Sequence, residues 1–551
     1  MWLSAGCGKV FFRGCGSAGG KTGAASAAGV PRGAADGDIE KKVLVDISMV
    51  EKDCMVEKDY RKETDERLDA YREEMVRTLQ ELVAINSVQA EPKGNMPFGE
   101  GVQRAFECVL RKGEEAGFAS FNADNYGGHL DFGGTLYDEN GQPAGISAQT
   151  MGILGHLDVV PLGSDWDHDP LGGEIVDGRI YGRGVSDDKG PVVAALYAMK
   201  AIQDVGLMPQ KKVRLILGLD EETGWKGMDY YLKKVEAPDF SFTPDGEFPA
   251  IHGEMGILVF EIAKKMSKTS ASAKGLVLRS LTGGSAPNMV PDGAKMLVRG
   301  DSYDELKEKL AEFKKETGFQ LTAKGRGKSL EISAEGVSAH GATPWKGQNA
   351  ISILMQFAGR IGFANEDVCD FIDFYNSCIG FELNGESIGC GFSDEHSGKL
   401  IFNVGMAEMD EEAARLTVNI RYPITMDDEQ VYGGMMPYIN QYDMGIVKEE
   451  HRPPIYFEKD HPMIQALMEA YRKYTGDMES EPFVIGGGSY ARAVPSAVAF
   501  GMLFPGELDT MHQKNESLSI DSMVTAAKIY ADAIITLTEA IPVPHKTETE
   551  A

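Results

Sequence analysis

The sequence predicts a doubly wound α/β domain interrupted by an inserted α+β domain. Three observations carry this. Between residues 118 and 219, short apolar runs of strand length alternate with helical patterns, as when neighbouring strands are joined by crossover helices. Over 256–452 the texture changes to alternating, half-buried strands mixed with helices. Beyond residue 452 the first texture returns and closes with a helical pattern over 520–538. The alternation argues a mainly parallel sheet in the α/β domain.

Folded sequence begins near Tyr60. Leu68, Tyr71, Met75, Leu79 and Leu82 recur at helical spacing with charges between them, which makes an amphipathic helix. A second helix is predicted over about 101–117, with Val102, Phe106, Val109 and Leu110 on one face. Strand signals follow at 118–122, 127–132 and 149–154. Pro191 suits the first turn of a helix over 191–202, because its missing N–H has no helical partner there. Residues 213–219 read as a buried strand. In the inserted region strands are expected at 258–263, 275–279, 295–300, 330–334 and 415–421, and helices at 303–316 and 350–360. A helix over 462–474 resumes the first domain. The division expected is therefore an arm at 1–58, the α/β domain at 59–255 and 453–545, the insert at 256–452, and a tail at 546–551.

The chain has 551 residues, 42% hydrophobic and 25% charged, ordinary for a soluble globular protein. A net charge of −29 argues against nucleic acid as a partner. No apolar run approaches the roughly 18 residues of a membrane helix. Seven cysteines, an odd number without a Cys-x-x-Cys pair, suit free thiols in a reducing, cytoplasmic setting. Cys369, Cys378 and Cys390 share a region but not a zinc-site spacing.

The first 38 residues are Gly-, Ala- and Ser-rich, carry Lys9, Arg13, Lys21 and Arg32, and are poor in acid. Val10-Phe11-Phe12 is too short for a secretory core, and Ser4-Ala5-Gly6-Cys7 lacks the lead-in of a lipoprotein site. The composition fits an organelle transit peptide or a disordered start, and Met49 and Met55 are alternative starts.

Candidate chemistry gathers at strand ends and turns, where α/β proteins place functional side chains. The strand over 149–154 runs into His156-Leu157-Asp158. Gly182-Arg183-Gly184 leads to Asp187-Asp188 just before the Pro191 helix, and the 213–219 strand ends in Asp220-Glu221-Glu222. Thr243-Pro244-Asp245 and Met511-His512-Gln513 sit in turns. His156, Asp187, Glu222, Asp245 and His512 are ligands of the kind that hold zinc or manganese. Two ions need more ligands than five side chains give singly, so one carboxylate should bridge, and Asp187 is the candidate. Asp158 is placed to accept from the His156 imidazole and fix it. Glu221, on the other side of a locally extended chain from Glu222, would be free to act as a base. Each piece alone is commoner as a surface turn or cap; their order and placement make the signal.

With these residues in place, the chain resembles the dinuclear zinc dipeptidases of the aminoacylase and carboxypeptidase G superfamily, in particular the PepV and carnosinase-like group. The resemblance rests on Gly155-His156-Leu157-Asp158-Val159-Val160-Pro161, Asp187-Asp188-Lys189-Gly190-Pro191, Asp220-Glu221-Glu222-Thr223-Gly224, Thr243-Pro244-Asp245-Gly246-Glu247, Ser338-Ala339-His340-Gly341, Gly486-Gly487-Gly488-Ser489-Tyr490-Ala491-Arg492 and Met511-His512-Gln513. It covers nearly all of 60–540 and not the arm.

The resemblance implies a zinc-exopeptidase-type mixed sheet, with the insert as a lid. It implies one ion on His156, Asp187 and Asp245, and a second on Asp187, Glu222 and His512, zinc or alternatively manganese. A cis peptide between Asp187 and Asp188 is implied too. His340 would stabilise an oxyanion, Asn288 and Arg421 would hold the substrate, and Gly488 and Arg492 would lie at the same end. The implied reaction is hydrolysis of a dipeptide with a free carboxylate by a metal-bridged hydroxide, with Glu221 as general base and Asp158 in support. The alternative is an N-acyl amino acid deacylase on the same centre. A monomer is expected, because the long insert can fold back over its own centre.

Overall fold

The apolar runs on either side of the insert become the strands of one sheet. The chain is seen in a computed structural model that describes residues 59–138, 142–267 and 275–542. The arm expected at 1–58 and the tail at 546–551 lie outside the described residues. In chain order, β1 is Ala119–Asn122, β2 Gly128–Gly133, β3 Thr150–His156, β4 Lys212–Gly218, β5 Phe240–Thr243 and β6 Ile251–Glu254. The insert contributes β7 Gly256–Lys265, β8 Val277–Gly283, β9 Gly293–Arg299, β10 Gln320–Arg326, β11 Ser329–Glu335, β12 Ile401–Met409, β13 Ala413–Tyr422 and β14 Gly445–Arg452. Then come β15 Ile455–Tyr456, β16 Phe483–Ile485 and β17 Ala497–Ala499.

The first sheet has nine strands in the order β1-β2-β4-β3-β5-β17-β6-β15, with β16 also paired to β6. Its centre is parallel: β4 with β3, β3 with β5, and β5 with β17. β1, β2 and β15 run antiparallel, and β6 is antiparallel to β17 but parallel to β16. The sheet is therefore mixed, as the resemblance implies, and the mainly parallel expectation holds for its centre and the β6–β16 pair but not for the rest. The physical reason is local. A short turn such as the five residues between β1 and β2 returns the chain antiparallel, whereas β3 and β4 are joined through a helix. β3 and β4 are buried from their second residue to their last, as expected of strands covered on both faces.

The helices are α1 Tyr60–Val83, α2 Glu100–Glu115, α3 Lys189–Asp204, α4 Lys226–Tyr231, α5 Asp304–Thr317, α6 Ala350–Ala358, α7 Glu366–Cys378, α8 Asp428–Gln441, α9 Pro462–Thr475 and α10 Ile520–Leu537. α1, α3, α9 and α10 stack beside the nine-stranded sheet and supply one hydrophobic cluster. α1 starts where the Asp59 carboxylate accepts from the Lys62 N–H, and α10 where Ser519 does the same for Ser522.

The second sheet is antiparallel throughout, in the order β10-β11-β9-β8-β12-β13-β7-β14, and all its strands fall within 256–452. With α5 to α8 it encloses a separate cluster that shares no residue with the first. Sequence periodicity did not reveal α7, α8, β12 or β14. In β14 the run Lys448-Glu449-Glu450-His451-Arg452 masks an edge strand, a position where charge is expected.

Cys108, Cys369, Cys378 and Cys390 are free thiols. Among the described residues no helix is long and apolar enough to cross a membrane.

One ion pair ties β2 to β4. Asp131 and Arg214 are register partners, and the guanidinium donates to the carboxylate at 2.8 and 2.9 Å. Burial pushes the Asp131 carboxyl up, but Arg214 and His129 pull it further down, well below the usual range. A depressed folded pKa gives stability that is present above the unfolded pKa of about 4 and is lost as pH falls through the folded value. Asp131→Asn is expected to cost about 1.5–3 kcal/mol at neutral pH. Urea midpoints should show the gap from the parent chain narrowing below about pH 4.

Candidate metal centre

The parallel strands end on one edge, and their last residues converge there. β3 delivers His156, the turn after β4 delivers Glu221 and Glu222, and the turn after β5 delivers Asp245. The residues before α3 bring Asp187, and the segment before α10 brings His512. Close packing makes this possible. A Cβ on Gly155 would meet Val192 Cγ2 at 2.5 Å and Asp188 Oδ2 at 2.7 Å, so only glycine lets β3 lie against α3.

Two triads result. His156 Nε2 lies 2.9 Å from Asp187 Oδ1 and 3.9 Å from Asp245 Oδ2. His512 Nε2 lies 2.8 Å from Asp187 Oδ2 and 3.1 Å from Glu222 Oε1. In each triad, and in a third made by His156, Glu221 and Glu222, one atom per residue lies within 4.8 Å of the others. Asp187 thus turns one oxygen to each histidine. The Nδ1–H of His156 donates to the Asp158 carbonyl at 3.0 Å, which leaves Nε2 as the ligand atom.

The charges say what the centre wants. Burial opposes a proton on His156, yet Asp158 and Asp187 raise it well above its ordinary value. His512 is raised by its hydrogen bonds to Asp187 and Glu222. Burial and then Asp187 push the Asp245 carboxyl well up. Three crowded carboxylates, with imidazoles as the facing cations, are a donor set that divalent zinc or manganese fits. Burial raises the Glu221 carboxyl to about 7; His156 opposes this and Glu222 adds to it.

Two expectations change in detail. The chain at Glu221 is not extended: the N–H groups of Thr223, Gly224 and Trp225 all donate to the Asp220 carbonyl, which closes a turn. Glu221 and Glu222 therefore both reach the centre. Asp158 fixes the imidazole with its carbonyl more closely than with its carboxylate, which lies 3.5 Å from Nδ1. The carboxylate accepts instead from the N–H groups of Glu221 and Glu222, each at 3.1 Å. The Asp187-Asp188 peptide is cis, as the resemblance implies.

A cavity of 540 Å³ gathers Asn288, His340, Arg421 and Gly488, with Ile257, Asn419 and Arg452 also on its wall. The Gly341 N–H donates to the Asn288 carbonyl at 2.7 Å, which holds the two loops together. His340 Nδ1 accepts from the Ala342 N–H at 3.2 Å, so Nε2 carries the proton; burial and then Arg421 keep the ring neutral. Arg421 is buried with its Nε unpartnered, and burial, followed by Arg492 and Arg452, lowers it to about 10. The segment after β16 joins this cavity to the centre: Gly487 and Gly488 line the cavity, and the Tyr490 ring stands edge-on to His156 at 5.9 Å.

Residues 152–536 match the peptidase family M20/M25/M40. The chain belongs to this family. It is 34% identical over 469 residues to "Putative dipeptidase YtjP" of Bacillus subtilis (strain 168), covering 85% of this chain and 97% of that protein. To "Putative dipeptidase" of Staphylococcus epidermidis (strain ATCC 12228 / FDA PCI 1200) it is 33% identical over 477 residues, covering 86% and 98%. The solved aminoacylhistidine dipeptidase of Vibrio alginolyticus shares the fold at 17% identity and a TM-score of 0.50, covering 86% of this chain and 96% of that one. The di-peptidase Dug1p of Saccharomyces cerevisiae does so at 14% and 0.50, covering 87% and 98%. The chain is therefore a metal-dependent hydrolase of a dinuclear-metal family.

Two placements stand apart from what the sequence suggested. Arg492, expected beside the substrate, has its Nε 2.7 Å from Glu254, and its other nitrogens donate to the Pro453 and Met255 carbonyls. Glu516 was not anticipated. Its buried carboxylate accepts from Arg183 at 2.7 Å and from the N–H groups of Gly184, Ser186 and Asp187 at 2.9–3.2 Å, so it holds the loop that carries Asp187. The only hint in sequence is its place four residues after His512. Glu516→Ala would leave the Arg183 charge buried and uncompensated. Chemical denaturation should show a loss of about 3–5 kcal/mol.

Proposed function

We propose that the chain is a dinuclear metallo-dipeptidase that cleaves dipeptides bearing a free C-terminal carboxylate. The observation that carries this is the buried Arg421 guanidinium, its Nε unpartnered, in a cavity it shares with His340 and Asn288. The names of the relatives agree with it. In this reading His156, Asp187 and Asp245 would hold one ion, and Asp187, Glu222 and His512 would hold the other. Two divalent cations bound there, zinc or alternatively manganese, would supply Lewis acidity and bring the pKa of water towards about 7.

The chain's own groups do the rest. Arg421 receives the substrate carboxylate, and Asn288 a neighbouring polar group. Glu221, whose side chain reaches the centre beside His156 and Glu222, takes the proton of the attacking water and gives it to the leaving amine. The His340 Nε2–H donates to the oxyanion. Asp158 holds the turn that carries Glu221, and Gly488 forms part of the substrate cavity wall. Arg492 has a supporting place, bracing the join between the parts. The catalytic parts would comprise 59–255 and 453–545 and the lid 256–452.

The test is a panel of dipeptides, their C-terminal amides and N-acyl amino acids, run with the metal-loaded chain. Loss of the carboxylate should cost about 2–5 kcal/mol in kcat/KM, as expected for breaking a buried charge pair. Equal rates on amides would contradict the role of Arg421. Preference for N-acyl amino acids would make the chain a deacylase on the same centre.

His340 of the insert and Gly488 of the segment after β16 line one cavity, and with the long insert this fits a site completed within a single chain. Mixing Glu221→Ala with His340→Ala protein should give no recovery of activity; recovery would show that each subunit completes its neighbour.

A further inference from the structure

Arg452 touches both halves of the machinery. It ends β14, and on the sheet it stands in one row with Ile257 and Arg421, since Ile257 pairs with Arg421 on one side and Arg452 on the other. It lines the cavity that holds Arg421 and His340. It also lines a second cavity, of 750 Å³, beside Trp225, and its guanidinium lies 4.5 Å from the centroid of that indole. A guanidinium over an indole face is attracted by the ring quadrupole.

Trp225 leads directly to the glutamate turn. Its Nε1–H donates to the Glu221 carbonyl at 2.9 Å, and its own N–H donates to the Asp220 carbonyl at 3.1 Å. The residue sits at φ 62°, a left-handed conformation that a bulky side chain rarely adopts without support. One ring edge rests on Tyr490, which stands against His156. The indole is thus pinned on one side by Tyr490, in the segment between β16 and β17, and on its face by a cation from the second sheet.

We propose that Arg452 and Trp225 are positioning residues for Glu221: the insert's sheet holds the indole through Arg452, and the indole N–H holds the backbone of the glutamate. This rests on the reading of Glu221 as the base. A substrate carboxylate at Arg421 lies across Ile257 from Arg452, so seating of substrate and placement of the glutamate bear on the same side chain. Misplacing a catalytic group by a fraction of its reach costs rate rather than affinity.

The experiment is a double-mutant cycle on the full, metal-loaded chain with Arg452→Leu and Trp225→Leu, plus Trp225→Phe and Arg452→Lys as milder variants. Each leucine variant is expected to lose on the order of 10- to 100-fold in kcat, with little change in KM and full metal content. The double variant should be no worse than the worse single. Trp225→Phe keeps an aromatic face but no N–H, so its kcat should fall like that of the leucine variant while its urea midpoint stays closer to the parent. Arg452→Lys keeps the cation and should recover most of the rate. A rise in KM alone for Arg452→Leu, additive losses, or parental kcat in Trp225→Phe would overturn the proposal. Urea midpoints need no substrate. Additive midpoint shifts would refute the contact even if no dipeptide were cleaved, and inactivity with non-additive midpoints would refute the dipeptidase reading alone.

Discussion

Glu221→Gln is expected to keep both metal equivalents and to lose on the order of 10²–10⁴-fold in kcat. The substitution preserves volume and the Asp158 contacts to the backbone of the turn, since those use the Glu221 and Glu222 N–H groups. What disappears is the carboxylate at the centre that can accept a proton and return it. Metal analysis beside kinetics decides the matter. His156, Glu221 and Glu222 also present close donor atoms, so a variant retaining one equivalent would mark Glu221 as a ligand.

Asp187→Ala is expected to abolish turnover and to weaken both metal positions together. Its two oxygens face different histidines, at 2.9 and 2.8 Å, so no other side chain takes part in both proposed ligand sets. Asp245→Ala, by contrast, should weaken one position more than the other. Calorimetric metal titrations of the two variants separate the cases. An Asp187 variant that still binds one ion at parental affinity would contradict the bridging role.

The positions of His156, Glu222 and Asp245, proposed as ligands, were legible because each ends or follows a strand with an apolar run. β3 before His156 and β4 before Glu222 are buried nearly end to end, and that burial shows in sequence as short apolar runs, Met-Gly-Ile-Leu in β3 and Leu-Ile-Leu in β4. The convergence of the five proposed ligands was read from motif order. Less visible were groups that work through backbone atoms. Glu516 binds three N–H groups of the Asp187 loop, and no side-chain spacing encodes that. The Asp158 carboxylate likewise serves the glutamate turn, a contact that depends on the turn at Asp220 rather than on the His-x-Asp spacing. Arg492 sat within a motif and beside Gly488, yet Glu254, distant in sequence, holds its guanidinium. The insert's edge strand β14 was obscured by its charges, and with it the place of Arg452 over Trp225.

The most direct measurement is reconstitution of chelated protein by stepwise addition of zinc or manganese, with hydrolysis of a dipeptide and bound metal followed together. The two-triad centre predicts an inactive metal-free chain, activity that saturates at two bound equivalents, and no such recovery in Asp187→Ala. Full activity in the metal-free chain, or saturation at a single equivalent, would contradict it.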